Sequence, residues 1–352
     1  MAEKMKAAVF EKVGVIKVQE VPIPEINEDE VLIQVKYTGI CGTDWSIYNG
    51  WYSADKLPMI PGHEFSGVIA KVGSKNRGLK EGDRVTADIN MSCGTCYYCM
   101  HGDKLLCDSF TQLGIHTNGA FAEFVKAPAA QVHKLPETMS FEEGAFIEPV
   151  SCVIHAAKAL DARLGSSFAV IGCGLGTLHA RMAVLRACAP VIIFGRNRKR
   201  LEIARQMGAD YVFHMDDVAD PVAEVMKITG GRGVDYAIEA VGKVETYQQA
   251  FAMLRRGGKL SAFGIAGEQE EMKIRPYEFV LGEKKITGSC AGVGQDWPDA
   301  ITLIANGRID PKPLFSMKVP LEDLDWALHE LRRDPSLFKV FVSPELSKRE
   351  LL

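Results

Sequence analysis

Residues 168–177, Phe168-Ala169-Val170-Ile171-Gly172-Cys173-Gly174-Leu175-Gly176-Thr177, constrain the fold of this chain more than any other stretch. Four apolar residues read as a fully buried strand. The glycines that follow fit a tight turn into a helix, which brings backbone N–H groups and a helix N-terminus against a pyrophosphate. Gly172, Gly174 and Leu175 are therefore candidate cofactor-binding residues. The third glycine of G-x-G-x-x-G belongs at 177, which is Thr; Gly176, one place early, is the compensating residue. The stretch stands inside a series of alternating strands and helices. A helical pattern over 149–160 opens it. Strands at 168–171 and 191–194, helices at 178–187 and 200–207, and further alternating segments to about 288 follow. The expected fold is α/β, a doubly wound parallel sheet forming a dinucleotide-binding domain over residues 151–288.

The rest of the chain is different in character. Short apolar runs at 7–10, 15–18, 31–37, 65–72 and 121–126, separated by Pro and Gly, read as β. After 288 come two amphipathic helices, near 297–304 and 324–331, and an apolar strand at 339–342. That tail is short for an independent domain. Residues 289–352 are expected to fold back onto residues 1–150, making one β-rich domain interrupted by the α/β insertion. A length of 352 residues suits about two domains.

The end of the second α/β strand bears on nucleotide choice. An NAD site places Asp or Glu there, accepting from the ribose 2′-OH. This chain has Gly195, then Arg196, Arg198, Lys199 and Arg200. A 2′-phosphate needs room and cationic, bidentate donors, so NADP is expected in preference to NAD. A solvated basic turn at a helix start is the alternative, and it leaves the missing acid unexplained.

A net charge of −4 and no long basic run argue against nucleic acid or an anionic membrane as partner. No signal-peptide core and no run of about 18 apolar residues is present, so a cytoplasmic protein is the expectation. Nine cysteines without an export signal point to reduced thiols and metal. Four of them, Cys93, Cys96, Cys99 and Cys107, have the spacing C-x2-C-x2-C-x7-C. Four thiolates saturate a tetrahedral Zn²⁺ and leave no open position, as in a structural site. An iron–sulfur cluster is the rival, but no Pro follows the fourth Cys and no second run exists.

A second metal signal is dispersed. Gly39-Ile40-Cys41-Gly42-Thr43-Asp44 follows a strand-like run and holds a thiol, a hydroxyl and a carboxylate within four residues. Alone, Cys41 reads as a small buried hydrophobe. His63 and Glu64 at another strand start, and Glu148 at the domain boundary, change that reading. Cys, His and Glu from separate loops make a three-ligand Zn²⁺ with an open fourth position, the arrangement of a catalytic site. Asp44 is placed to orient the His63 imidazole.

Taken in order, Gly39–Asp44 of that run, Gly62-His63-Glu64-Phe65-Ser66-Gly67, Gly82-Asp83-Arg84-Val85, the four-Cys lobe and Ile147-Glu148-Pro149 resemble the zinc-containing medium-chain dehydrogenase/reductase superfamily, nearest its sorbitol (polyol) and threonine dehydrogenase branch. The resemblance covers essentially the whole chain. It implies a GroES-like β-rich catalytic domain with an inserted Rossmann domain. It implies two zinc ions per chain: a catalytic one at Cys41, His63 and Glu148, with Glu64 as a direct or exchanging ligand, and a structural one at Cys93, Cys96, Cys99 and Cys107. Which of Glu64, Glu148 and Cys152 is the third ligand at rest stays open. Thr43 passes the proton of the substrate hydroxyl and Asp44 supports His63. The implied reaction is hydride transfer between a secondary alcohol (polyol, sugar alcohol or cyclitol) and nicotinamide; L-threonine is the alternative substrate, and a catalytically inactive nucleotide-binding protein the alternative of another class. A homotetramer or homodimer is implied.

Three departures stand out: Ser46 where many relatives have His, Thr177 in the glycine motif, and the basic turn 195–199. Cys152, His155, Cys173, Cys188 and Cys290 are expected to fill packed space, and His101 to lie at the surface. Trp45, Tyr48 and Trp51 are candidates either for a substrate-pocket wall or for plain packing.

Overall fold

Strand formation in the α/β part follows from continuous apolar runs. All residues of Phe168–Ile171 and Val191–Gly195 are buried, as befits strands covered on both faces. In the computed structural model, which describes residues 3–76 and 78–352, the chain divides into two units: residues 152–292, and residues 1–151 with 293–352.

The first of these holds a six-stranded sheet in the order Tyr211–His214, Val191–Gly195, Phe168–Ile171, Val234–Glu239, Leu254–Ala262 and Lys285–Gly288. All its pairings are parallel. Strand order reverses beside Phe168–Ile171, the point where doubly wound sheets bind ligands at their carboxyl ends. Two apolar clusters cover the faces. One packs Ala180, Ala183, Leu201 and Ala204 on the sheet, and the other Val225, Ala250 and Phe251. The helix expected at 200–207 is Arg198–Gln206, because the Asn197 side chain caps it by accepting from the Arg200 N–H at 2.9 Å.

The other unit is built on an eight-stranded sheet. Its central strand, Glu30–Gly39, pairs antiparallel with Glu64–Val72, with Phe124–Pro128 and with the tail strand Lys339–Ser343. The tail thus folds back onto the N-terminal sheet. The strand expected at 121–126 is displaced to Phe124–Pro128 because residues 121–123 change partners. Phe121 O accepts from Ala8 N–H and Glu123 O from Val35 N–H. The strand Phe315–Pro320 was not legible: Lys318 interrupts its apolar pattern, and Glu142 (3.2 Å) and Glu350 (3.4 Å) neutralise that lysine in place. Among the described residues, no helix is long and apolar enough to cross a membrane.

Candidate metal centres and nucleotide turn

Sheet register assembles the first centre. The antiparallel pairing Gly39↔Glu64 brings the end of one strand beside the start of the next. Cys41, two residues beyond, and His63, one residue before, therefore meet at the same sheet end. Ligand atoms of Cys41, His63 and Glu64 all lie within 4.8 Å of one another. Cys41 is half-buried, and His63 and Glu64 are buried. Gly39 has to be glycine here, since a β-carbon on it would strike the Glu64 carboxylate and stand 3.3 Å from the Lys339 stem.

Cys41 also starts the helix Gly42–Tyr48 as its N-cap. Asp44, fully buried in the first turn, accepts from the Cys41 N–H at 2.8 Å. Its other oxygen faces His63 Nδ1 at 3.5 Å. Thr43 Oγ1 accepts from the Cys41 thiol at 3.6 Å, so the hydroxyl stands at the Cys41 sulfur. Ser46 donates to Gly42 O at 3.2 Å and is turned to its own helix.

Burial pushes the His63 imidazole towards neutrality, but Asp44 and Cys41 outweigh it and hold its pKa well above the ordinary value. A half-buried thiol with a buried imidazole and carboxylate, and a further carboxylate behind them, form a site that favours a cation. The donor set fits zinc.

Glu148 is outside this set. It lies buried in the first turn of the helix Ile147–Leu160, and its charge helps to raise the Lys339 pKa. Cys152 accepts instead from the Gly292 N–H at 3.4 Å. Of the expected carboxylates, Glu64 is the one that register brings to Cys41 and His63.

Sequence reasoning missed Lys339. This lysine is buried, ion-pairs with the Glu64 carboxylate and donates to Ile40 O at 3.0 Å. Burial lowers its pKa, yet Glu64 and Cys41 together leave it raised. The one available signal was a lysine opening an otherwise apolar strand.

The second centre is local. Sγ atoms of Cys93, Cys96, Cys99 and Cys107 lie within 4.8 Å of one another, with Cys93 and Cys99 4.0 Å apart. Tetrahedral Zn–S bonds of about 2.3 Å put sulfurs about 3.8 Å apart, while a disulfide needs about 2.05 Å. Backbone N–H groups of Thr95 and Cys96 donate to Cys93 Sγ, and those of Cys93 and Ser109 to Cys107 Sγ. Such donors stabilise thiolate, and the Cys93 pKa falls to about 6; burial carries Cys99 the other way, up to about 11. The short helices of this lobe, Tyr97–Met100 and Lys104–Leu106, bury no residue. A lobe without a core, carrying four convergent sulfurs, fits a structural zinc.

In the nucleotide turn, Gly172 has a φ of +109° and its N–H donates to Phe194 O at 2.8 Å. Gly174 and Leu175 follow, with Leu175 at the N-cap of the helix Gly176–Leu185. Gly195 closes its strand and is buried, and Arg196 is exposed. Arg198 is held in a bidentate pair with Asp217, 2.9 Å at each contact. Burial draws the Arg200 pKa down, partly offset by Cys173.

The remaining candidates divide between packed and exposed positions. Trp45 and Tyr48 pack edge-to-face on His329, and Trp51 is exposed. Cys173 and Cys188 are buried in the core, but Cys290 is exposed: it follows the edge strand Lys285–Gly288, where the chain is no longer covered. His101 is exposed and lies on Tyr97.

Comparison with known proteins agrees with this geometry. Residues 27–137 match the family described as alcohol dehydrogenase GroES-like domain, and residues 174–306 that described as zinc-binding dehydrogenase. A sorbitol dehydrogenase of Bacillus subtilis (strain 168) is 35% identical over 349 residues, 97% of this chain and 98% of that one. An L-threonine 3-dehydrogenase of Bacillus velezensis is 33% identical over 351 residues, 98% of this chain and 100% of that one. Among solved structures, a zinc-binding dehydrogenase from Sinorhizobium meliloti 1021 bound to NADP has a TM-score of 0.89 at 31% identity, covering 97% of this chain and 100% of that one.

Proposed function

Because the chain belongs to the zinc-containing medium-chain dehydrogenase/reductase superfamily, in its polyol and threonine dehydrogenase branch, we propose that this oxidoreductase interconverts a secondary alcohol of the polyol, sugar-alcohol or cyclitol class and its ketone. It uses zinc, and NADP in preference to NAD, and works as a homotetramer or homodimer. One observation carries the reading: Cys41, His63 and Glu64 converge within 4.8 Å, with Thr43 at the sulfur and Asp44 facing the imidazole.

When bound, zinc supplies a Lewis acid that makes an alcohol proton easier to remove, and nicotinamide supplies the carbon that accepts a hydride. Cys41, His63 and Glu64 hold the metal. Asp44, facing His63 Nδ1, favours the tautomer that carries its proton there and so orients the ring. Thr43 Oγ1 receives the proton of the substrate hydroxyl as its own hydroxyl proton leaves towards solvent. Ser46, committed to Gly42 O, does not extend that path. Lys339 ion-pairs with the Glu64 carboxylate and offsets part of its charge. Cys93, Cys96, Cys99 and Cys107 hold the structural zinc. At the other end of the reaction, Gly172, Gly174 and Leu175 receive the pyrophosphate, and Gly195 with Arg196, Arg198 and Arg200 the 2′-phosphate. The likeness to the NADP-bound neighbour supports that cofactor. Similarity to an L-threonine 3-dehydrogenase along nearly the whole chain supports a second substrate reading, an amino alcohol.

The test is a panel of polyols, sugar alcohols, cyclitols and L-threonine, each with NADP and NAD, followed at the absorbance of reduced nicotinamide. The expected result is polyol-dependent NADP reduction that vanishes in Cys41→Ser, with two zinc ions per chain in the wild type and a dimer or tetramer in sedimentation. Turnover of L-threonine alone selects the second reading. Tighter binding of NAD, with NADP affinity unchanged in Arg196→Ala, overturns the cofactor reading.

A further inference from the structure

Gly195 is where an acidic residue would have to stand for the ribose of NAD to be read, and the space its side chain would need is filled. A β-carbon on Gly195 would overlap the Cys173 sulfur, lie 2.6 Å from the Cys173 Cβ and 3.2 Å from Leu201 Cδ2. Nonbonded carbon atoms rest at about 3.5–4.0 Å. Rotating the thiol away removes the sulfur and leaves the Cβ–Cβ collision, so only a backbone shift makes room.

That backbone is held on three sides. The preceding residue, Gly172, donates its N–H to Phe194 O at 2.8 Å, which ties the turn to the strand that Gly195 ends. The Cys173 carbonyl accepts from Thr177 Oγ1 at 3.2 Å, and Thr177 is wholly buried. Thr177 is the residue that replaces the third glycine of the turn motif, so this departure serves to pin Cys173. On the far side the thiol faces Asn197 O at 3.9 Å, and Asn197 is itself engaged as the cap of the next helix. Cys173 is 7% exposed and packs with Val191, Ile193 and Leu201.

We infer that Cys173 is a nucleotide-specificity residue. It occupies the volume of a side chain at 195, keeps the strand end free of a carboxylate and leaves the ribose 2′ position to the arginines that follow. It acts on Gly195 and not on the nucleotide, which makes it a positioning residue. The inference rests on the NADP reading above and extends it: the missing acid and the turn cysteine are one packing solution, so neither changes alone.

The test compares wild type, Gly195→Asp and the double variant Cys173→Gly/Gly195→Asp. Dissociation constants for NADP and NAD come from titration calorimetry and unfolding midpoints from scanning calorimetry. Gly195→Asp alone is expected to lower the unfolding midpoint by about 3–10 °C through overpacking. It also gains less than about threefold in NAD affinity. The double variant is expected to recover at least half of the lost midpoint and to bind NAD about tenfold tighter than the single variant does. Gly195→Asp with a wild-type midpoint and a tenfold NAD gain overturns the inference. So does a double variant that recovers none of the lost midpoint, or that recovers stability with no gain in NAD binding. Wild type binding NAD more tightly than NADP refutes the cofactor reading instead, and the comparison of the two variants still decides the steric one.

Discussion

Replacing Lys339 with Met isolates what a buried charge is worth at the Cys41 centre. The Lys339 and Glu64 side chains are 6% and 3% exposed, so neither charge is served by water. Lys339 Nζ has the Glu64 carboxylate and Ile40 O as partners. Methionine keeps the unbranched stem and removes the ammonium, so the packing loss stays below about 1.5 kcal/mol. The charge term is larger, since breaking one partner of a buried pair costs about 3–5 kcal/mol. In metal-free protein, with chelator present, the β-rich unit should lose about that much. Urea unfolding with m of about 2 kcal/mol/M then shows a midpoint lowered by about 1.5–2.5 M. Tryptophan fluorescence is the right probe, because Trp45, Trp51, Trp297 and Trp326 all belong to the unit of residues 1–151 and 293–352. Lys339→Met/Glu64→Gln removes both charges at similar volume and should recover at least half of the loss. A single variant shifted by less than about 0.5 M, or a double variant no more stable than the single, refutes the view that Lys339 is there to neutralise Glu64.

Thr43→Val should lower kcat by about 10²–10⁴-fold with zinc content unchanged, while Thr43→Ser keeps most activity; a Val variant within about threefold of wild type removes Thr43 from the proton path. Cys93→Ser should reduce zinc from two ions per chain to one, measured by elemental analysis, and open residues 93–107 to limited proteolysis, because that lobe has no core of its own; unchanged stoichiometry refutes the site. His179, buried against Phe263 at 4.3 Å with neither ring nitrogen hydrogen-bonded, has its pKa pushed down to about 3 by burial. The unfolded chain, with a His value of about 6.5, therefore takes up the proton first, and stability is lost as pH falls from about 6.5 towards 3. Between pH 7.5 and 4.5, His179→Phe should gain about 2–3 kcal/mol relative to wild type in calorimetric unfolding; parallel pH profiles refute the buried neutral imidazole.

Both candidate metal clusters were legible because ligand chemistry is restrictive. Four cysteines within 15 residues (93–107) bring their own proximity, and the lobe needs no distant contact to assemble. Cys41 and His63 are 22 residues apart in sequence, but each adjoins an apolar run that marks a strand, and pairing those strands brings them together. Glu148 was harder to judge. Its neighbours Ile147 and Pro149 match a motif, yet from the first turn of a helix it does not join the 4.8 Å group that Glu64 does. Cys290 resembles the buried cysteines in residue type alone and is exposed, since no local pattern reports how much chain covers an edge strand.

By itself the sequence determined the two-part organisation, the glycine turn, and the residue types around two candidate metal positions. Strand periodicity, glycine turns and soft ligands are local properties and remain visible in one dimension. Tertiary structure alone decided that a lysine 275 residues after Glu64 neutralises it, and that Cys173 fills the space beside Gly195, 22 positions on. Lysine is ordinarily a solvated residue and cysteine an anonymous core one. Their roles here come from hydrogen-bond register, Phe341↔Gly39 in one sheet and Ile171↔Phe194 in the other, which sets the atoms that share a volume of a few ångströms.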